Sequence, residues 1–508
     1  MSNYENRVQR DLVTDAVFTE SNEEFILPDY MPEIGRVLRV GATLLPEEHY
    51  AGSDSTEFSG RVEYRLLYSD SEGNVTEAPL EGRYRYLLPS GGADAPLTYT
   101  EERIESANAR PTAPRKLGIR ARIFARPHML KEEAIGTPVE ALAGEDPTET
   151  LEREISILAR IPFSSGIPTA EGSFTIEGAS PDALTLLSTL SHLLPESKEV
   201  HDGYISVRGK LIFTLLLKKQ EALPFVKVCS IPFEEEFPLD GAKAGDALSL
   251  RAALGAPTVS FEAAGEDTTL IIGADCTLSG VVLRNESVSV VEDLYVHGAR
   301  HEIARKPFSA DSLIGTASGN VTVSADLSLP SDFKREGTLF PAFSVKESEI
   351  SRVGDKAVVA GTLSASLLCF REDDIEKCEL SLPFRAELPL ASRESEGESF
   401  TATVTPIGGG AEPCGEGVRL STELALSVTS TRPVTLSLPC AIQKLEDTFF
   451  SKCPTVTIYY PTDGDTLWSV GKRYGVPLST LKKRNGMPES AESCMPLDGY
   501  AYLFVNGL

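Results

Sequence analysis

Two histidines four residues apart, His297 and His301, with Glu302 behind them, are the residues whose spacing most resembles metal chemistry. On a helix that spacing sets two imidazoles on one face, as a zinc site requires. Gly298 and the apolar run Leu294-Tyr295-Val296 before it read as strand and turn, so no metal site is expected there. The other histidines, His49, His128, His192 and His201, are scattered. No phosphate-cradling Gly-x-x-x-x-Gly-Lys-Ser/Thr loop, G-x-S-x-G elbow or H-E-x-x-H pair occurs. Carboxylates are so common that no pair stands out for acid–base work, and Glu234-Glu235-Glu236 reads as a solvated strand edge. Neither an enzyme nor a cofactor is expected. Cysteines begin only at Cys229, and no two are spaced C-x-x-C, so reduced and mostly buried thiols are the default.

Recognition chemistry is better represented, and it sits at the C-terminal end. Asp463-Gly464-Asp465-Thr466 leads into Leu467, Trp468, Val470 and Tyr474, with Trp468 the only tryptophan in the chain. Leu467, Val470 and Tyr474 form an i, i+3, i+7 apolar stripe on a first helix, which Asp465 or Thr466 would cap. Pro477 opens a second helix, and Asn485-Gly486 stops it. Strands over 455–460 and 500–505 would flank the helices. A unit of about fifty residues is marginal alone, so most of its apolar side chains, Trp468 included, are expected to serve its core. Lys482-Lys483-Arg484 fits an acidic partner, but also a simple helix terminus.

This segment resembles a LysM module, a small β-α-α-β unit that binds N-acetylglucosamine polymers and, in some cases, proteins. The resemblance implies a groove between two loops. Here those loops map to Asp463, Gly464, Asp465, Thr466 and Leu467, and to Asn485, Gly486 and Met487 running on to Pro488.

The remaining chain must position that end. At 508 residues it exceeds one core, with 41% apolar and 24% charged residues marking an ordinary globular composition. Its longest apolar runs fall far short of the roughly 20 residues of a spanning helix, so membrane insertion is not expected. The start, Met1 to Arg7, carries no basic-then-apolar signal, which leads to a cytoplasmic expectation. The net charge is −27, while the segment from Thr455 onward is balanced, so the body carries the excess. An acidic body argues against nucleic acid and against anionic membrane surfaces.

That body repeats. GRVEYRLLY from Gly60, GKLIFTLLL from Gly209 and GTLSASLLC from Gly361 recur at intervals of 149 and 152 residues. Each reads as a half-buried strand beginning after a turn glycine. Pro46 and Pro195 stand fourteen residues before the first two glycines, and Glu347 takes that place in the third copy. Apolar-Pro-apolar triplets at Pro79, Pro232 and Pro383 belong at a strand start or an edge. Later strands open at Leu117, Leu270 and Val418. The best helical candidate in the body is Pro181–Leu194. The expected fold is mainly β: three tandem β-sandwich-like units over residues 1–150, 151–303 and 304–450, then a small α+β unit over 455–508. Joints are expected near Gly136 to Pro147, His301 to Pro307 and Thr431 to Pro454.

Leu27-Pro28-Asp29-Tyr30-Met31-Pro32-Glu33-Ile34, then Leu44-Leu45-Pro46-Glu47 and Pro114-Arg115-Lys116-Leu117, resemble the SPOCS domain of spore-forming Firmicutes, chiefly clostridia. Val291-Glu292-Asp293-Leu294-Tyr295 resembles the close of another copy. SPOCS units followed by one LysM imply a spore coat morphogenesis adaptor of the mother-cell cytoplasm, located at the forespore surface. The LysM unit would bind the coat-basement protein, a SpoIVA-like ATPase, and the body other coat proteins. The alternative is a peptidoglycan-binding spore envelope protein.

Overall fold

The computed structural model describes residues 7–12, 15–52, 55–89, 97–220, 222–298, 300–372, 374–392, 394–445 and 456–505. The first third of the body holds β1 (Arg7–Asp11), β2 (Val17–Ile26), β3 (Arg36–Ala51), β4 (Ser55–Ser69), β5 (Val75–Pro89), β6 (Leu97–Ala113), β7 (Lys116–Ala134) and a short helix α1 (Val139–Ala143). The second holds β8 (Thr148–Ile176), β9 (Leu184–His201), β10 (Tyr204–Lys219), β11 (Phe225–Pro238), β12 (Ala247–Leu254), β13 (Thr258–Ala264) and β14 (Asp267–Val296). The third holds β15 (His301–Leu327), β16 (Thr338–Val353), β17 (Lys356–Phe370), β18 (Ile375–Pro389), β19 (Ser399–Cys414) and β20 (Gly417–Lys444).

One plan serves all three thirds. A three-stranded antiparallel sheet (β3-β4-β5, β9-β10-β11 or β16-β17-β18) packs on a second sheet centred on a later strand, β7, β14 or β20. Side chains alternate between inside and outside, as along β18, so each sheet has one apolar face to bury. The two inner faces of each unit enclose their own core: Tyr64, Leu66 and Ile119 in the first, Phe213, Leu215 and Ile272 in the second, Leu363, Leu367 and Leu424 in the third. The mainly β architecture is as expected from the sequence.

The repeat glycines do something other than open a turn. Gly60, Gly209 and Gly361 lie inside β4, β10 and β17, where the neighbouring strand carries a β-bulge. A Cβ on Gly209 would stand 2.3 Å from the Leu194 carbonyl oxygen, and one on Gly361 would stand 2.1 Å from that of Glu347. The bulged strand presses its backbone onto Gly209 and Gly361, while at Gly60 a Cβ would stand 2.6 Å from the Tyr84 hydroxyl of β5, so at each position only glycine leaves room. Pro46 and Pro195 sit in those bulges, paired with Gly60 and Gly209. Pro79, Pro232 and Pro383 fall on β5, β11 and β18, each the outer strand of its three-stranded sheet.

Where β3, β9 and β16 converge, the three units share a further core. Leu67, Leu216 and Leu368, each seven residues past its repeat glycine, meet there with Leu38, Leu187, Phe340 and Phe370. Polar bonds tie the junctions. Ser188 Oγ donates to Glu77 at 2.7 Å, the Thr338 hydroxyl donates to the Pro224 carbonyl, and Arg36 donates to the Ile375 carbonyl at 3.1 Å. The ring therefore closes from first unit to second, second to third and third back to first. Arg39 crosses the last junction, donating to the carbonyls of Phe340 (2.8 Å) and Ser366 (2.9 Å). Burial lowers its guanidinium to about 10.

One expectation about the elements is corrected. Pro181–Leu194 is a single 3-10 turn, Pro181–Ala183, followed by strand β9. The turn after β14 lies at His297 and Gly298, and His301 to Pro307 already belong to β15. The expected joint over Thr431 to Pro454 begins inside β20, and 446–455 lie outside the described residues.

Candidate functional site: the C-terminal module and its seat

The C-terminal module consists of β21 (Thr457–Tyr459), α2 (Leu467–Tyr474), α3 (Leu478–Arg484) and β22 (Leu503–Val505). β21 and β22 pair antiparallel, Ile458 opposite Phe504. Thr466 is the N-cap of α2: its hydroxyl accepts from the Ser469 amide (3.1 Å), while Ser469 Oγ accepts from the Thr466 amide (3.0 Å). That reciprocal pair satisfies two amides the first turn would leave unpaired. Gly475 ends α2 in the left-handed conformation, φ 61°. Pro477 caps α3, and Asn485 closes it.

Asp465 does not cap. It pins the preceding loop, accepting at one oxygen from the Tyr459 hydroxyl (2.6 Å), the Thr462 amide (2.8 Å) and the Thr462 hydroxyl (2.9 Å). The Tyr459 hydroxyl, then the Thr462 amide, hold its carboxyl down at about 2. A carboxyl whose folded value lies below its unfolded value adds stability at neutral pH. That contribution persists down to about pH 4 and is lost as the pH falls through about 2. NMR of the Asp465 side-chain carboxyl should show a midpoint near 2. A midpoint near 4, the ordinary aspartate value, would mean the loop is not pinned this way.

The residues expected to line the groove divide into two groups. Asp463, Gly464 and Gly486 are exposed at the tips of the two loops, and Thr466 is half-buried. Gly464 and Gly486 both have positive φ, 85° and 66°, which turns each loop outward. Leu467, Asp465 and Met487 are buried at 0%, 6% and 6% exposure. Asn485 joins its loop to β22, accepting from the Phe504 amide (2.7 Å) and donating to the Leu481 carbonyl (2.8 Å). Loop tips thus form the accessible surface, and the other members hold those tips in place.

Sequence reasoning missed the opposite face. The module's own core residues, Leu467, Val470, Leu481 and Leu503, pack together with Tyr295 and Leu151 from the second unit. Tyr295 donates to the Val476 carbonyl at 2.8 Å and meets the Trp468 ring edge-on at 5.0 Å. Asp293 accepts from Trp468 Nε1 (2.9 Å), Lys472 Nζ (2.6 Å) and Arg305 (2.7 Å). Glu149 accepts from the Leu478 amide at 3.1 Å, and the Gly298 amide donates to Gly475. Trp468 is therefore a seat residue at 6% exposure. One signal was readable. Gly471 lies inside a helix, where glycine costs about 1 kcal/mol relative to alanine, and a Cβ there would stand 2.6 Å from the Tyr295 hydroxyl.

His297 sits in the turn after β14, its Nε2 3.5 Å from Glu149 Oε1, while His301 opens β15. Among the described residues no group of three or more metal-ligating side chains converges. Four of the described cysteines, Cys229, Cys276, Cys369 and Cys378, are buried. Burial pushes the Cys229 thiol up to about 11 and Cys276 to about 12, which suppresses the reactive thiolate. Cys453 lies outside the described residues. No described helix is long and apolar enough to cross a membrane.

A family model of the LysM domain matches residues 462–491. No curated protein and no solved structure matches the chain. The chain therefore carries a LysM domain, a fold associated with binding peptidoglycan and related carbohydrates, behind a β-rich body.

Proposed function

We propose that this protein is a non-enzymatic recognition scaffold, in which the three-unit β body holds the LysM domain by one face and presents its loop tips to a ligand. The observation that carries this reading is the division of the module's surface. Trp468, Gly471, Lys472 and Val476 face the body, while Asp463, Gly464 and Gly486 remain exposed.

In its finer form the reading is a spore coat morphogenesis adaptor of the mother-cell cytoplasm. Its layout resembles the clostridial SpoIVA-interacting protein L, with the loop tips engaging a SpoIVA-like basement ATPase and the acidic body engaging other coat proteins. Burial of Trp468 in the seat supports a protein ligand, because it removes the module's only tryptophan from sugar stacking. The LysM match itself favours the second reading, peptidoglycan binding in the spore envelope.

Full-length protein offered purified peptidoglycan and, separately, the basement ATPase separates the two. Co-purification with the ATPase, at least tenfold weakened by Asp463→Arg with Pro488→Arg, is the expected result. Sedimentation with peptidoglycan, weakened by the same pair, would transfer the function to glycan. Binding to either that ignores the pair would move the site off the loop tips.

A further inference from the structure

Between the second and third units lies an open cavity of about 280 Å³, with Thr316 and Ser318 on its exposed rim, whose wall is polar in an organised way. On the third unit, β15 and β20 place Thr316 opposite Thr429 and Ser318 opposite Ser427. Neighbouring strands stand about 4.8 Å apart, and alternate residues of one strand about 6.8 Å apart. Four hydroxyls therefore form a small rectangle on one sheet face, while Val428 between them is fully buried on the other. The second unit supplies the facing wall: Ser249 from β12, the chain from Gly245 to Leu248, and Lys198 from β9.

None of these six side chains, Lys198, Ser249, Thr316, Ser318, Ser427 and Thr429, has a hydrogen-bond or ion-pair partner among the described residues. Burial alone depresses the Lys198 ammonium, and no carboxylate counters it. Asp246 also lines the cavity, but its carboxylate is taken by the Lys243 amide (3.0 Å) and by Arg284 (3.5 Å). Lys198 is thus a half-buried cation with no counter-ion, and the hydroxyls around it, exposed at Thr316 and Ser318 and half-buried at Ser249, Ser427 and Thr429, are free to exchange water for a ligand that brings negative charge and acceptors.

We propose that this cavity is a binding site for a tetrahedral oxyanion of the phosphate or sulfate kind, with Lys198 supplying the charge and the five hydroxyls the hydrogen bonds. Donors arrive from two facing walls, which suits four acceptor oxygens better than the two coplanar oxygens of a carboxylate. The space equals roughly nine water volumes at about 30 Å³ each. It therefore accommodates the anion with several waters, or the anion carried on a small organic body. Because the walls come from two units, the anion would bridge them and tighten that junction.

The test uses the full chain at constant ionic strength, with chloride as the reference salt. Inorganic phosphate, sulfate, glycerol phosphate and acetate are titrated separately, and binding is read by calorimetry and by the melting temperature. Saturable binding of phosphate or sulfate is expected, with acetate at least tenfold weaker. Tighter binding of glycerol phosphate than of phosphate would identify a phosphomonoester as the natural form, and the reverse the free ion. Lys198→Met should abolish saturation and Ser427→Ala weaken it at least threefold, while Lys198→Arg retains it. Melting without anion reports whether each variant folds, and Lys198→Arg with Ser427→Ala keep the test decisive should Lys198→Met fail to fold. Saturation of none of the four anions, or equal saturation in Ser427→Ala and the wild type, overturns the proposal.

Discussion

Phe340→Ala should lower the unfolding free energy by about 3–5 kcal/mol, the range for deleting a fully buried phenylalanine. Phe340 is 0% exposed and lies where all three units meet, against Leu38, Leu187, Leu216 and Leu368. Its removal opens a cavity bordered by all three units, and each also borders it with a central strand, β4, β10 or β17, already fixed by two neighbours. Collapse into the void is therefore restricted. The ring also lies under the Arg39 guanidinium, 5.0 Å from its centroid, so a buried cation would lose cover as well. Urea titration measures the loss. Ile26→Ala, at a side chain 67% exposed, is the control and should change stability by less than about 0.5 kcal/mol. A loss below about 1 kcal/mol for Phe340→Ala would show that the shared core is not tightly packed.

The second large effect is expected at Asp293. Its carboxylate receives Trp468, Lys472 and Arg305 at once, and its side chain is only 14% exposed. Asp293→Ala leaves three donors, two of them charged, without an acceptor in a partly desolvated seat. The cost should be about 2–4 kcal/mol, between that of losing a charged hydrogen bond and that of breaking a buried ion pair. The penalty falls on the contact between module and second unit. Hydrogen exchange in α2 and α3 should rise by about one and a half to three orders of magnitude, while β10 and β17 keep their protection. Unchanged exchange over residues 467–484 would mean that the aromatic contact of Tyr295 holds the module without the charge cluster.

What could be read in advance was local or periodic. The capping of α2, the start of α3 at Pro477 and its close at Asn485 depend on residues within four positions of one another, and the sequence carries them openly. The threefold recurrence was legible because each copy keeps a glycine, although its purpose was not. Whether Gly209 clears a turn or a neighbouring carbonyl depends on a strand fourteen residues away.

β9 was misread for a definable reason. Leu184, Leu187, Leu190, Leu193 and Leu194 recur at helical spacing, yet Leu184 and Leu193 belong to the core of their own unit, while Leu187 and Leu190 face the shared core. A strand buried on both faces loses its alternation, and periodicity cannot then tell it from a helix. The seat of the module was invisible for another reason. Asp293 and Trp468 are separated by 175 residues, and no local pattern links them. The groove residues were placed by resemblance, and only the packing separates exposed tips such as Asp463 from supports such as Met487 and Asn485.

The three junction bonds bear on how such a chain assembles. Tandem copies this alike invite mispairing during folding, when a strand of one copy docks onto the wrong neighbour. Here every seam uses different partners: a serine on a glutamate, a threonine on a proline carbonyl, an arginine on an isoleucine carbonyl. A misordered trio would leave the Ser188 hydroxyl, 2% exposed, without the Glu77 acceptor it has here. Chemically unequal seams thus act as a lock code for the correct circular arrangement, written into an otherwise monotonous architecture.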